Sequence, residues 1–143
     1  MTPRLSICLV SETWPPEVNG VAMTMARLAD GLRHRGHAVH IVRPRQGKED
    51  GGSTGETLVR SLPLPGYKDL QIGMPSDRVL SELWARDRPD VVHAVTEGPL
   101  GVAGQDSSHR ACNVVLRSLA RVPNGPGFTT KCTATTGCSV VWS

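Results

Sequence analysis

The chain has 143 residues, enough for one domain with a real core, and a formal net charge of +3 at neutral pH. Its basic and acidic residues are interleaved, and it holds only one Phe, one Tyr and three Trp. That excludes a nucleic-acid patch and leaves little for base-stacking platforms. No apolar run approaches the roughly 20 residues of a membrane span. The run after Arg4 is shorter than the roughly 7–15 residues of a signal-peptide core, so the expected compartment is the cytoplasm. Of the four cysteines, Cys8 falls in an apolar run, and Cys112, Cys132 and Cys138 show no CxxC spacing and no His-x-His partner, which argues against zinc.

Leu5–Val10 is apolar apart from Ser6, as expected of a parallel strand covered on both faces. Ser11–Ala22, SETWPPEVNGVA, reads as a loop running into a helix start. Val21–Arg35 then spaces Val21, Met25, Leu28, Ala29 and Leu32 by threes and fours, the pattern of a helix with one buried side. Arg33 and Arg35 complement the negative end of its dipole, and Gly36 stands where a glycine ends a helix. His37–Val42, closed by Arg43-Pro44, predicts a second strand, which the right-handed crossover rule places parallel beside the first.

Gln46–Gly55 is polar and glycine-rich and reads as a mobile loop. Glu56–Leu62 alternates as a third strand. The following LPLPGYKDL is too proline-rich for regular structure and reads as an ordered surface loop. Pro75-Ser76-Asp77 announces a helix, with Ser76 as N-cap and Val79, Leu80, Leu83 and Trp84 as its apolar face. Arg88-Pro89-Asp90 ends it, Val91–Val95 predicts a buried strand, and Thr96–Gly101, TEGPLG, is a loop at that strand's carboxyl end. The fold class is α/β, a wound parallel sheet with flanking helices.

Loops at the carboxyl ends of an open parallel sheet share one edge, and ligands collect there. Geometry therefore brings Glu12, Glu17, Asn19 and Gly20 to the same rim as Glu97 and Gly98. Gly20 lets backbone approach a ligand closely, because no Cβ stands in the way. Asn19 can cap the helix or reach a ligand hydroxyl, and Pro15-Pro16 stiffens the entry. Amides at such a strand–loop–helix junction can face an anion. The same loop also serves as a plain tight turn, and each carboxylate as a solvated loop charge. Neither GxGxxG nor GxxxxGK[ST] is present. His93 falls inside a buried-strand pattern and reads as a core histidine. His34, His37 and His40 read as surface residues around a helix end and the adjoining strand.

Three segments, SETWPPEVNGVAMT with RGHAVHIVRPRQ, then LPLPGY, then RPDVVHAVTEGPLG, resemble the amino-terminal domain of glycosyltransferase family 4. The subgroup they look most like is the bacterial GDP-mannose-dependent α-mannosyltransferases. The resemblance implies a Rossmann-like half of a GT-B fold over residues 1–103, with the active site in a cleft against a second domain. It implies retaining transfer of a hexosyl, here mannosyl, group from a nucleotide-diphosphate sugar to the hydroxyl of a glycan or glycolipid, without a bound metal. The donor would be a substrate rather than a cofactor, and contact with a membrane would be peripheral. By analogy the Asn19-Gly20 backbone would approach the leaving phosphate, and Glu12, Glu17 and Glu97 would line the sugar or acceptor side. No catalytic residue is assigned. Two other readings are a stand-alone module that binds an acceptor or a partner subunit, and a small nucleotide-binding regulator.

The quoted motifs stop at Gly101. The family would continue with a helix, a buried strand, an FHT-type histidine motif and a carboxyl-terminal domain holding most donor-binding residues. Residues 104–143 instead read as an irregular tail with weak periodicity, apart from Asn113–Val122, which suits a short amphipathic helix. Without the later elements one edge and one face of the sheet would be uncovered. Read from the third base of each codon, Phe128–Thr136 permits HNQVHRYYG, a segment of the family's kind, so a frame slip after Gly101 is compatible with the tail.

Overall fold

The computed structural model describes residues 3–17, 19–66, 71–95, 98–104, 114–118, 130–134 and 139–141. Strand β1 (Ser6–Val10) leads through a loop to helix α1 (Gly20–His34) and strand β2 (Ala38–Pro44). Then come β3 (Glu56–Val59), β4 (Ser61–Pro63), β5 (Gln71–Gly73), α2 (Asp77–Arg86) and β6 (Val91–Ala94). Residues 99–104 are helical. β7 (Val114–Ser118), β8 (Thr130–Ala134) and β9 (Ser139–Val141) complete the described elements. The main sheet has the order β3-β2-β1-β6-β7-β8-β9, and β4 and β5 form a separate antiparallel ribbon. From β3 to β7 every pairing is parallel; β8 and β9 add on antiparallel.

β1 lies between two parallel partners, with Leu9 opposite Ile41 on one side and His93 on the other. Its side chains alternate between two cores. Ile7 and Leu9 join Ile41, Ala29, Trp14, Met25, Ala26 and Leu32 on the α1 face. Cys8 and Val10 join Val42, Val92, Leu80, Trp84, Leu100 and Ala103 on the α2 face. Each wholly buried Leu or Val contributes about 1.5–3 kcal/mol, so a strand covered on both faces is the anchor of the layered structure.

The expected helices form, with shifts that have local causes. α1 begins at Gly20, and its buried side is Ala22, Met25, Ala26, Ala29 and Leu32, whereas Val21 and Leu28 are exposed. Small Ala22 and Ala29 let the helix lie close to the sheet, which rotates the larger Val21 and Leu28 outward. It ends in a Schellman motif: Gly36, at φ +87°, donates to Arg33 O, and His37 N–H donates to Leu32 O. On α2, Leu80 and Trp84 are buried and Leu83 is half-buried, but Val79 is exposed. Ser76 occupies the N-cap position without capping; its hydroxyl donates to Met74 O instead.

Other expectations are corrected. The strand foreseen over Glu56–Leu62 breaks at Arg60, because β2 ends at Pro44, opposite Val59, and offers no further partner. The chain then turns into β4, so Leu62 and Pro63 are strand residues paired with Ile72 and Gln71. The end of LPLPGYKDL lies outside the described residues. Val114–Ser118 is a strand, not part of a helix, and the rest of that expected helix lies outside the described residues. The helical residues 99–104 and the strands β7–β9 continue the molecule beyond β6 in place of a bare edge there. His40 is half-buried rather than superficial, with Nε2 2.8 Å from Thr57 Oγ1, and burial pushes its pKa down.

Gln46–Gly55 is tied down, not loose. Arg43, only 6% exposed, reaches Asp50 at 2.6 and 3.0 Å and Glu56 at 3.0 and 3.1 Å. Asp50 also accepts from the Gln46 and Gly52 amides, and Glu56 from Ser53. The hydrogen bonds from Arg43 hold the Asp50 carboxyl well below the usual carboxylate range. Its stabilisation is therefore present in full above the unfolded value, about pH 4, and is lost as pH falls below it. Arg43→Ala, which strands two largely buried carboxylates, is expected to cost about 3–5 kcal/mol at pH 7. The gap to the unsubstituted chain should narrow in acid, and urea unfolding at the two pH values measures both effects.

Candidate active-site rim

Ser11 extends the β1 ladder by one bond, its N–H donating to Val42 O at 3.0 Å, and then the backbone leaves the sheet. The Ser11 hydroxyl donates to Thr13 O and accepts from Thr13 N–H, closing a small local turn. Trp14 follows and sinks to 7% exposure among Leu9, Ala29 and Ile41 on the α1 side. Its carbonyl accepts from Glu17 N–H at 3.1 Å and from Gln46 Nε2 at 2.6 Å. The loop after β2, held by Arg43, is thereby joined to the loop after β1. The Pro15–Pro16 peptide bond is cis.

Glu12 turns to the opposite layer. Its Oε1 accepts from Leu100 N–H at 3.0 Å, and the Gly101 amide also supports the carboxylate. Gly98 lies against the same carboxylate, so closely that a Cβ there would run into it. Burial raises the Glu12 carboxyl above its ordinary value, an effect partly offset by those two amides. Leu100 itself is buried and meets Gly73 of β5, where a Cβ would stand 2.9 Å from Leu100 Cβ.

Asn19 is the N-cap of α1. Its Oδ1 accepts from Ala22 N–H at 2.8 Å, and its Nδ2 donates to Glu17 Oε2 at 3.3 Å. Burial raises the Glu17 carboxyl too, opposed by the Gln71 amide and by Asn19. With Ala22 N–H on the cap and Met23 N–H on Asn19 O, the Gly20 and Val21 amides are the first-turn donors without an acceptor inside the helix. Gly20 is exposed, and a Cβ on it would meet nothing within 4 Å. Packing therefore does not demand glycine here.

The structure thus brings Glu12 together with Gly98, and Glu17 together with Asn19 and Gly20, on the carboxyl rim of the sheet. Glu97 lies outside the described residues. This rim is where strand order reverses, β1 continuing to β2 and β3 on one side and lying beside β6 on the other. Ligands of wound α/β sheets bind at such a crevice. Residues missed by sequence reasoning are Trp14, Arg43 and Gln46, which hold the rim from below. A tryptophan inside an otherwise polar loop was the available signal for the first; Asp50 and Glu56 around an arginine closing a strand were the signal for the second. His93 is half-buried on β6, and burial pushes its pKa down.

An α/β sheet of this order, with the start of α1 and the Glu12 and Glu17 carboxyls at its carboxyl rim, defines a Rossmann-like domain. Residues 18–117 match the family model Glycosyltransferase Family 4, and the chain belongs to that family. The matched span passes Gly101, where the quoted motifs stop, and takes in 99–104 and β7 up to Arg117. The chain is 33% identical over 122 residues to a GDP-mannose-dependent alpha-mannosyltransferase of Mycolicibacterium smegmatis, covering 81% of this chain and 32% of that protein. Proteins of the same description from Mycobacterium tuberculosis and Corynebacterium glutamicum are 30% and 31% identical, over 73% and 69% of this chain. The chain spans between a quarter and a third of the length of these relatives. Among the described residues, no helix is long and apolar enough to cross a membrane.

The cap gives a direct check on the α1 end of the rim. Asn19→Ala should lower the unfolding free energy by about 1 kcal/mol, and Asn19→Ser, which keeps a capping oxygen, should lose less. Urea denaturation of the three chains measures the difference.

Proposed function

We propose that this chain is the acceptor-side half of a retaining mannosyltransferase cleft, whose donor is a nucleotide-diphosphate sugar such as GDP-mannose. The observation that carries the reading is that the loop into α1 and the turn at Gly98 follow the adjacent parallel strands β1 and β6 on one rim of the sheet, joined by Glu12. The three mannosyltransferase relatives supply the substrate class.

The difficult steps of such a transfer are stabilising an oxocarbenium-like centre and the departing diphosphate. In this reading the Gly20 and Val21 amides, with the positive end of α1 behind them, face the leaving phosphate. Glu17, kept in place by Asn19, borders the sugar side. The acceptor is a glycan or glycolipid hydroxyl, and any membrane contact is peripheral. No resident cofactor enters this reading, since the nucleotide sugar is a substrate. In this reading residues 1–143 do not transfer sugar alone, because the family resemblance implies that most donor-binding residues lie in a carboxyl-terminal domain.

For residues beyond the matched span we infer a frame slip; the family match through residue 117 moves it later than the point just after Gly101 expected from the sequence. The compatible alternative reading of Phe128–Thr136 supports it. Sequencing the gene tests this: a second phase that continues the family pattern is expected, and its absence contradicts the slip.

The functional reading is tested by joining residues 1–117 to the carboxyl-terminal part of the Mycolicibacterium smegmatis relative and measuring mannosyl transfer from GDP-mannose. The joined protein should transfer and the present chain alone should not. Transfer by the chain alone, or a cooperatively folded but inactive joined protein, contradicts the proposal.

A further inference from the structure

Glu12 stands two positions past the last residue of β1, yet its carboxylate meets an amide 88 residues away in sequence, that of Leu100. Trp14, two residues on, is anchored in the opposite core layer. The loop between β1 and α1 is therefore held from both faces of the sheet, by an apolar side chain on one and a carboxylate on the other. A half-buried carboxylate is costly unless its oxygens are paired, and the Leu100 and Gly101 amides supply such pairing.

Gly98 supplies an independent observation. The three atoms nearest to a Cβ placed on it all belong to the Glu12 carboxyl group. The Glu12 carboxyl is thus the first group that a larger residue at position 98 would have to displace.

We infer that Glu12 is a positioning residue of the rim. It ties the β1 loop to the turn at 98–101, fixing the two sides of the switch point relative to each other, and Gly98 is the recess that admits it. This holds whether or not the sugar-transfer reading is correct, because it concerns contacts within the chain.

A double-substitution cycle on the full chain, read by urea unfolding and amide exchange, tests it. Glu12→Ala should speed exchange of the Leu100 and Gly101 amides by about tenfold or more, as expected for loss of a hydrogen bond to a charged group, while β1 amides hold their rates. Glu12→Gln, which keeps an accepting oxygen, should restore most of that protection. Gly98→Ala should lower the unfolding midpoint in the native background and leave it nearly unchanged beside Glu12→Ala. Leu100 exchange unaffected by Glu12→Ala, or an equal effect of Gly98→Ala in both backgrounds, overturns the inference. Should Glu12→Ala not fold, the Leu100 amide resonance of the native chain decides. It should follow one carboxyl titration displaced above the ordinary carboxylate value by burial, and a flat profile overturns the inference.

Discussion

The parallel pairing of β1 on both sides governs everything at the rim. A strand flanked by β2 and β6 must deliver its following segment at the carboxyl edge, midway between two neighbours that also end there. That segment cannot return along the sheet, because both hydrogen-bonding edges of β1 are occupied. It has to cross the end of the sheet and enter α1, and the crossing is the candidate site. Trp14 and Glu12 fasten it to the layers on the two sides. What is left facing outward is the start of α1, with an exposed glycine and two first-turn amides that have no acceptor inside the helix.

Charge is distributed over the rim in two tiers. Below, Arg43 neutralises Asp50 and Glu56, and through Gln46 this cluster reaches the Trp14 carbonyl. Above, Glu12 and Glu17 are half-buried carboxyls raised by desolvation, each held by amides or by Asn19. The lower tier is structural: its carboxylates already have a buried cation. The upper tier borders the open helix end, where a diphosphate would add negative charge. Burial raises both carboxyls, while the amides on Glu12 and the Gln71 amide and Asn19 beside Glu17 pull the other way.

Much of this arrangement is legible in the sequence. The run Leu5–Val10, the helical spacing from Met25 to Leu32 and the run Val91–Val95 are long enough that burial dictates their structure. Parallel topology then puts Asn19, Gly20 and Gly98 on one edge. What was not legible depends on long-range partners. Ala22 rather than Val21 faces the sheet because close approach favours the smaller side chain. The strand after Glu56 stops where β2 stops, which no local pattern encodes. The loop Gln46–Gly55 is composed like a mobile segment, but Arg43 gathers it through side chains that a composition count treats as solvated. The cost of Glu12 at a distant helix end and the reason for Gly98 appear only when the two loops are seen together.

The central claim is that the carboxyl rim between β1 and β6 is the ligand-facing edge of this domain. The most direct measurement is a map of backbone amide shifts in the labelled chain as GDP is added. The account predicts changes concentrated at Gly20–Ala22 and around Gly98–Gly101. Changes at the opposite end of the sheet, around Gly36, His37 and Asp90, with the rim unmoved, would contradict it.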